Sequence, residues 1–105
     1  MYYSMWSAMG HDPKIEDQRV PLMIWLQGGP GASSQFGAHT ELGPVSVKEG
    51  KATLNPWSWT IMGHYIFIDQ PLGVGFSHYK DRTTPHVSSA KQAAEHLLNF
   101  LSNFY

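Results

Sequence analysis

The sequence predicts an α/β fold, the N-terminal part of a larger layered sheet with one C-terminal helix. Three observations carry this. "PLMIWL" (21–26) is a short unbroken apolar run between Pro21 and Gly28, the pattern of a strand covered on both faces. "YIFIDQPLGVGF" (65–76) opens with a second such run and breaks at Pro71. Near the end, Val87, Ala90, Ala94, Leu97, Leu98, Leu101 and Phe104 fall on one stripe of helical period. Strands covered on both faces need several helices, and the pattern supplies one, so residues 1–105 read as part of a domain. The alternative, a complete small open sheet, would leave "LMIWL" half exposed at ~25 cal/mol per Å² of apolar surface.

In chain order, Met1–Met9 is rich in aromatic and β-compatible residues and predicts a strand. Gly10–Arg19 is polar, contains Asp12-Pro13 and predicts a loop. Leu22–Leu26 is the first buried strand. Residues 45–54 predict a hairpin turning at Glu49-Gly50. Asn55-Pro56 signals a turn, and Tyr65–Ile68 is the second buried strand. Ser89–Phe104 is the helix, packed by its Leu97/Leu101 face. Ser89 with Gln92 forms a capping box at its start.

Composition excludes several classes. The net charge is −1, which leaves no basic stripe for nucleic acid. No stretch reaches the ~18 apolar residues of a membrane span, and "YYSMWSAM" after Met1 lacks the form of a signal peptide. With no cysteine there is neither a disulfide nor a thiolate metal site. No pair of histidines has zinc spacing, so neither metal nor cofactor is expected.

The glycines of "WLQGGPGASSQFG" (25–37) need a reason. A phosphate loop requires a lysine after its last glycine, and here none comes before Lys48. A dinucleotide fingerprint requires another spacing, and Pro30 removes an amide from the cradle. The oxyanion loop of α/β-hydrolases fits better. It takes one amide from a Gly-Gly loop after an early strand, and a Cβ would obstruct the approach to ~2.7–3.1 Å that such a donor needs. A tight glycine-rich turn is the plainer alternative.

The neighbouring blocks bear on that choice. "PLMIWLQGGPGASS", "ELGP" (41–44), "NPWSW" (55–59) and "IFIDQPLGVGFS" (66–77) follow one another in this order. In this the chain resembles the serine carboxypeptidases, α/β-hydrolase exopeptidases that remove the C-terminal residue of a peptide, mostly at acidic pH. Gln27 and Ala32 look more like the vitellogenic-like carboxypeptidase type than the plant type. The resemblance covers most of the chain and implies the N-terminal part of an α/β-hydrolase sheet. It implies that the Gly29 amide forms half of the oxyanion hole. It implies that Gln27 and Gly28 hold the substrate's C-terminal carboxylate beside Trp25, with Gln27 reaching from one methylene further than the usual Asn. Glu41 matches a glutamate that shares a proton with a second one beside the nucleophile. Asp69 matches a structural aspartate, not a triad member. The implied partner is a peptide with a free C-terminal carboxylate, and the implied setting of a full-length parent is lysosomal, vacuolar or secreted.

The Ser/Asp/His triad is not found. The elbow G-x-S-x-G is absent: Ser33 is followed two places on by Gln35, and Ser77 by Tyr79. His39, His64, His78 and His86 read as loop or surface residues, and His96 as part of the helix. The chain is therefore expected to be an inactive fragment of a serine-type carboxypeptidase. The alternatives are an acyltransferase of the same family and a non-catalytic remnant.

Overall fold

A computed structural model describes residues 1–12, 14, 19–81 and 83–105. Its elements are β1 (Tyr3–Trp6), β2 (Leu22–Trp25), α1 (Ser34–Thr40), β3 (Val45–Lys48), β4 (Lys51–Leu54), β5 (His64–Ile68) and α2 (Ala90–Phe104), with a 3₁₀ turn at Trp59–Ile61. The expected loop at 10–19 falls largely outside the described residues.

β5 is the middle of a three-stranded sheet ordered β1-β5-β2. It pairs antiparallel with β1 and parallel with β2. Its apolar run matches that position: Tyr65, Ile66, Phe67 and Ile68 are all buried. Alternation sends Tyr65 and Phe67 to one face, where they form a core with Ala38 and Leu42, backed by Trp6, Met23 and Trp25. On the other face Ile68 pairs with Tyr3. The Tyr3 ring meets Phe100 and Phe104 of α2, both at 5.4 Å between centroids. The molecule is thus helix, sheet, helix.

Some expectations change. The first strand is shorter than 1–9 because its pairing with β5 spans only Tyr3–Trp6. β2 is not covered on both faces. It lies at the sheet edge, and Ile24 is 40% exposed. The hairpin forms as expected, with Glu49 (φ 51°) and Gly50 (φ 73°) both left-handed, the requirement of a type I′ turn. It stands as a separate two-stranded sheet.

α2 begins one residue later than expected, after its cap Ser89, whose hydroxyl accepts from the Gln92 amide at 3.3 Å. The Gln92 side chain reaches past Ser89 and accepts from the Ser88 amide at 2.9 Å. Leu97 and Leu101 are half-buried, but Ala90, Ala94 and Leu98 face solvent. The aromatic contact with Tyr3 turns the helix toward its Phe100 side. α1 was not expected. Gln35 pins it to the sheet, accepting from the Ser4 hydroxyl at 2.7 Å and donating to the Phe67 carbonyl at 3.2 Å.

Candidate functional site

β2 ends at Trp25, and the chain turns through the glycines into α1. Two serines fix that turn. Ser34 donates its hydroxyl to the Ile68 carbonyl at 2.5 Å and accepts from the Gln27 amide at 3.0 Å. One buried hydroxyl thus ties the end of β2 to the end of β5. Ser33 caps α1 by accepting from the Gln35 amide at 3.2 Å, and it donates to Asp69 Oδ1 at 2.7 Å.

Asp69 is fully buried. Its Oδ1 also accepts from the Ser34 amide at 2.7 Å, and its Oδ2 accepts from the Phe76 amide at 2.9 Å. A buried carboxylate needs such partners. This one clamps the glycine turn to the 70–77 loop. The Ser77 hydroxyl donates to the Asp69 carbonyl at 2.5 Å and accepts from the Tyr2 amide at 2.8 Å. Both candidate serines are therefore occupied in structural bonds.

In the turn itself, Gly29 has φ 126°, a conformation closed to ordinary side chains. A Cβ there would lie 3.2 Å from both the Gly31 and Ala32 amide nitrogens. Gly28 accepts from the Ala32 amide at 3.2 Å, and open space surrounds its α-carbon.

Trp25, Gln27 and Glu41 come together. The Trp25 indole N–H donates to Gln27 Oε1 at 2.7 Å. An indole nitrogen can only donate, so the carboxamide has one orientation: oxygen toward the indole, NH₂ outward. That NH₂ points at Glu41, with long contacts of 3.4 and 3.5 Å to its two oxygens. Trp59 packs edge-on against Trp25, 5.9 Å between centroids.

Glu41 caps the C-terminus of α1, and a second segment holds its backbone. Asn55 Nδ2 donates to the Glu41 and Gly43 carbonyls at 3.2 and 3.0 Å. The Ser58 hydroxyl and the Trp59 amide both donate to the Leu42 carbonyl at 2.9 Å. The "NPWSW" block is thus the brace of the "ELGP" block. Sequence reasoning missed the bracing roles of Ser34, Asn55 and Ser58, whose only signal was their place inside those blocks.

The histidines lie elsewhere. His39 sits in α1 and His64 opens β5, both half-buried, so neither is the loop or surface residue expected. His64 Nδ1 accepts from the Ala8 amide at 3.0 Å. His78 and His86 are exposed, as expected, and His96 is on α2. Among the described residues no cluster could hold a metal ion, and no helix is long and apolar enough to cross a membrane. A cavity of about 540 Å³ lies beside the glycine turn, between Leu26, Pro30, Pro71 and the first turns of α2. None of Trp25, Gln27 and Glu41 lines it.

Comparison with known proteins gives this arrangement a context. The profile of the serine carboxypeptidase family matches residues 1–105. The pheromone-processing carboxypeptidase of Candida glabrata is 39% identical over 104 residues, 98% of this chain and 14% of that protein. That of Saccharomyces cerevisiae is 38% identical over 110 residues, 98% of this chain and 15% of that protein. A carboxypeptidase Y homologue of Leptosphaeria maculans is 40% identical over 95 residues, 90% of this chain and 17% of that protein. The crystal structure of the prohormone-processing carboxypeptidase of Saccharomyces cerevisiae superposes with a TM-score of 0.76 at 39% identity, covering 97% of this chain and 22% of that one. The chain thus spans a small part of its relatives' length, with the α/β-hydrolase architecture expected of such a part. It belongs to the serine carboxypeptidase family.

Proposed function

We propose that these residues are the carboxylate-binding and oxyanion-loop part of a serine-type carboxypeptidase, which cleaves the C-terminal peptide bond through an acyl-enzyme. The observation that carries this is the oriented carboxamide of Gln27. Its oxygen is taken by Trp25, which leaves the NH₂ directed at the exposed carboxylate of Glu41. A substrate carboxylate needs donors at such a place, and hydrogen bonds to an ionised group are the strong ones. Gly28 lets the substrate approach the backbone, and the Gly29 amide serves as one of two oxyanion donors.

The nucleophile, acid and base come from elsewhere in the full-length protein, so residues 1–105 alone do no catalysis. The occupied hydroxyls of Ser33 and Ser77 support that reading. Gln27 and Ala32 favour an affiliation with the vitellogenic-like type. A lysosomal, vacuolar or secreted setting goes with the family.

The test uses the full-length product of the reading frame that contains this segment. It is given an N-blocked dipeptide with a free C-terminus and the matching C-terminal amide. Release of the last amino acid from the first, stopped by a fluorophosphonate, with far slower attack on the second, is the expected result. Equal turnover of both, acyl transfer to an added alcohol in place of hydrolysis, or a reading frame ending at Tyr105 would overturn it.

A further inference from the structure

We infer that Gly37, in the middle of α1, is a positioning residue that sets the selectivity of the Trp25–Gln27–Glu41 cluster by placing no side chain beneath it. This rests on the reading of that cluster as the carboxylate site. Helix chemistry does not account for the residue, since alanine is favoured over glycine inside a helix. What accounts for it is the space above. A Cβ at position 37 would lie 2.6 Å from Gln27 Oε1, 2.7 Å from Trp25 Nε1 and 3.3 Å from Glu41 Oε2. The first two are the two ends of the hydrogen bond that orients the carboxamide. A methyl group there would press on both. The Gly37 carbonyl meanwhile accepts from the Glu41 and Leu42 amides at 3.2 and 3.0 Å, which fixes the backbone that carries Glu41. Side chains from the end of β2, the turn behind it and the cap of α1 thus converge on the one point of the helix that carries only hydrogen.

The chemical consequence concerns selectivity. With a methyl group at 37 the carboxamide is pushed off the indole and can turn over. Its oxygen then faces the substrate for part of the time. A carbonyl oxygen repels a carboxylate but accepts from a C-terminal amide. Gly37→Ala in the full-length protein should therefore raise KM for the free-acid dipeptide about tenfold or more, the scale of one charge-assisted bond. Turnover of the matching amide should be unchanged or improved.

Gln27→Asn/Gly37→Ala withdraws the carboxamide by one methylene and should restore part of the preference for the free acid. A purely structural role would lower both substrates together and would not be relieved by the shorter side chain. Parallel losses on acid and amide, an unchanged KM, or failure of both variants to fold would overturn the inference while leaving the proposed activity standing. A wild-type protein that does not prefer the free acid would remove the activity reading, and this inference with it.

Discussion

Asp69 and Glu41 are both carboxylates, yet the structure gives them opposite surroundings. Asp69 is buried and accepts from Ser33, Ser34 and Phe76. Asp69→Asn would turn an NH₂ toward at least one of these donors, because an amide has one accepting end. Losing a bond to a buried charged acceptor costs about 1.5–3 kcal/mol, and urea unfolding of the full-length protein should show that loss. Glu41 is exposed, and the role proposed for it is in binding. Glu41→Gln should leave stability within about 0.5 kcal/mol of wild type, and should raise KM for a free-acid peptide far more than for its amide. Steady-state kinetics on the two substrates would decide it, and equal losses would make Glu41 an ordinary loop residue. A third carboxylate, Asp81, accepts from the hydroxyls and amides of Thr83 and Thr84. These bonds, the Thr83 hydroxyl first, hold its carboxyl below the usual aspartate range. A value depressed by folding stabilises the loop above the unfolded value, about 3.9. That contribution disappears as pH falls through the folded one. Carboxyl titration by NMR should give a midpoint under the ordinary value, rising toward it in Thr83→Val/Thr84→Val.

At the scale of elements, α2 and α1 differ in how far the sequence foretells them. α2 is long enough for its period and its Ser89 cap to be read. Its buried face is another matter, because counting Ala90, Ala94 and Leu98 as apolar says nothing about which ring finds Tyr3. The structure chooses Phe100 and Phe104 and leaves Leu98 64% exposed. Phe100→Ala should therefore cost about 1–2 kcal/mol, less than the ~3–5 of a fully buried ring. Leu98→Ala should stay within about 0.5 kcal/mol. Equal costs in denaturant unfolding would show that Leu98 packs as tightly as the ring. α1 gives almost no signal. It has seven residues, with glycine inside, and a helix that short forms only through tertiary contacts. The hairpin was readable from Glu49-Gly50 alone, because a type I′ turn is a local matter. The candidate site was legible only through its motifs: the glycine turn stands out by composition, and Gln27 and Glu41 only through the blocks that hold them. Its braces were not. Ser34, Asn55 and Ser58 act on carbonyls 12 to 34 residues away, and a polar residue does not announce a distant backbone partner; Asp69 alone was expected to be structural.

The whole molecule is a slab 20 Å thick, with a radius of gyration of 15.1 Å, against about 13 Å for a compact chain of 100 residues. It exposes 7506 Å², where a folded monomer of this mass exposes roughly 5,900 Å². Trp57, Leu54 and Phe76 are among the large side chains left in solvent. Residues 1–105 produced alone should consequently be marginal, with a broad melt below about 45 °C, under the usual mesophile range. A sharp transition of a monomer above about 65 °C would show a self-sufficient domain. The order β1-β5-β2 adds a consequence in time. A ribosome delivers the two flanking strands first and the middle one last, after α1 and the hairpin. At ~5–20 residues per second the nascent chain carries two strands without their shared partner for about 2–8 s. Through that interval Ser34 lacks the Ile68 carbonyl and the glycine turn lacks Asp69. The site therefore takes shape only when β5 slides between its neighbours, and until then the emerging chain offers bare strand edges to whatever holds it in the cell.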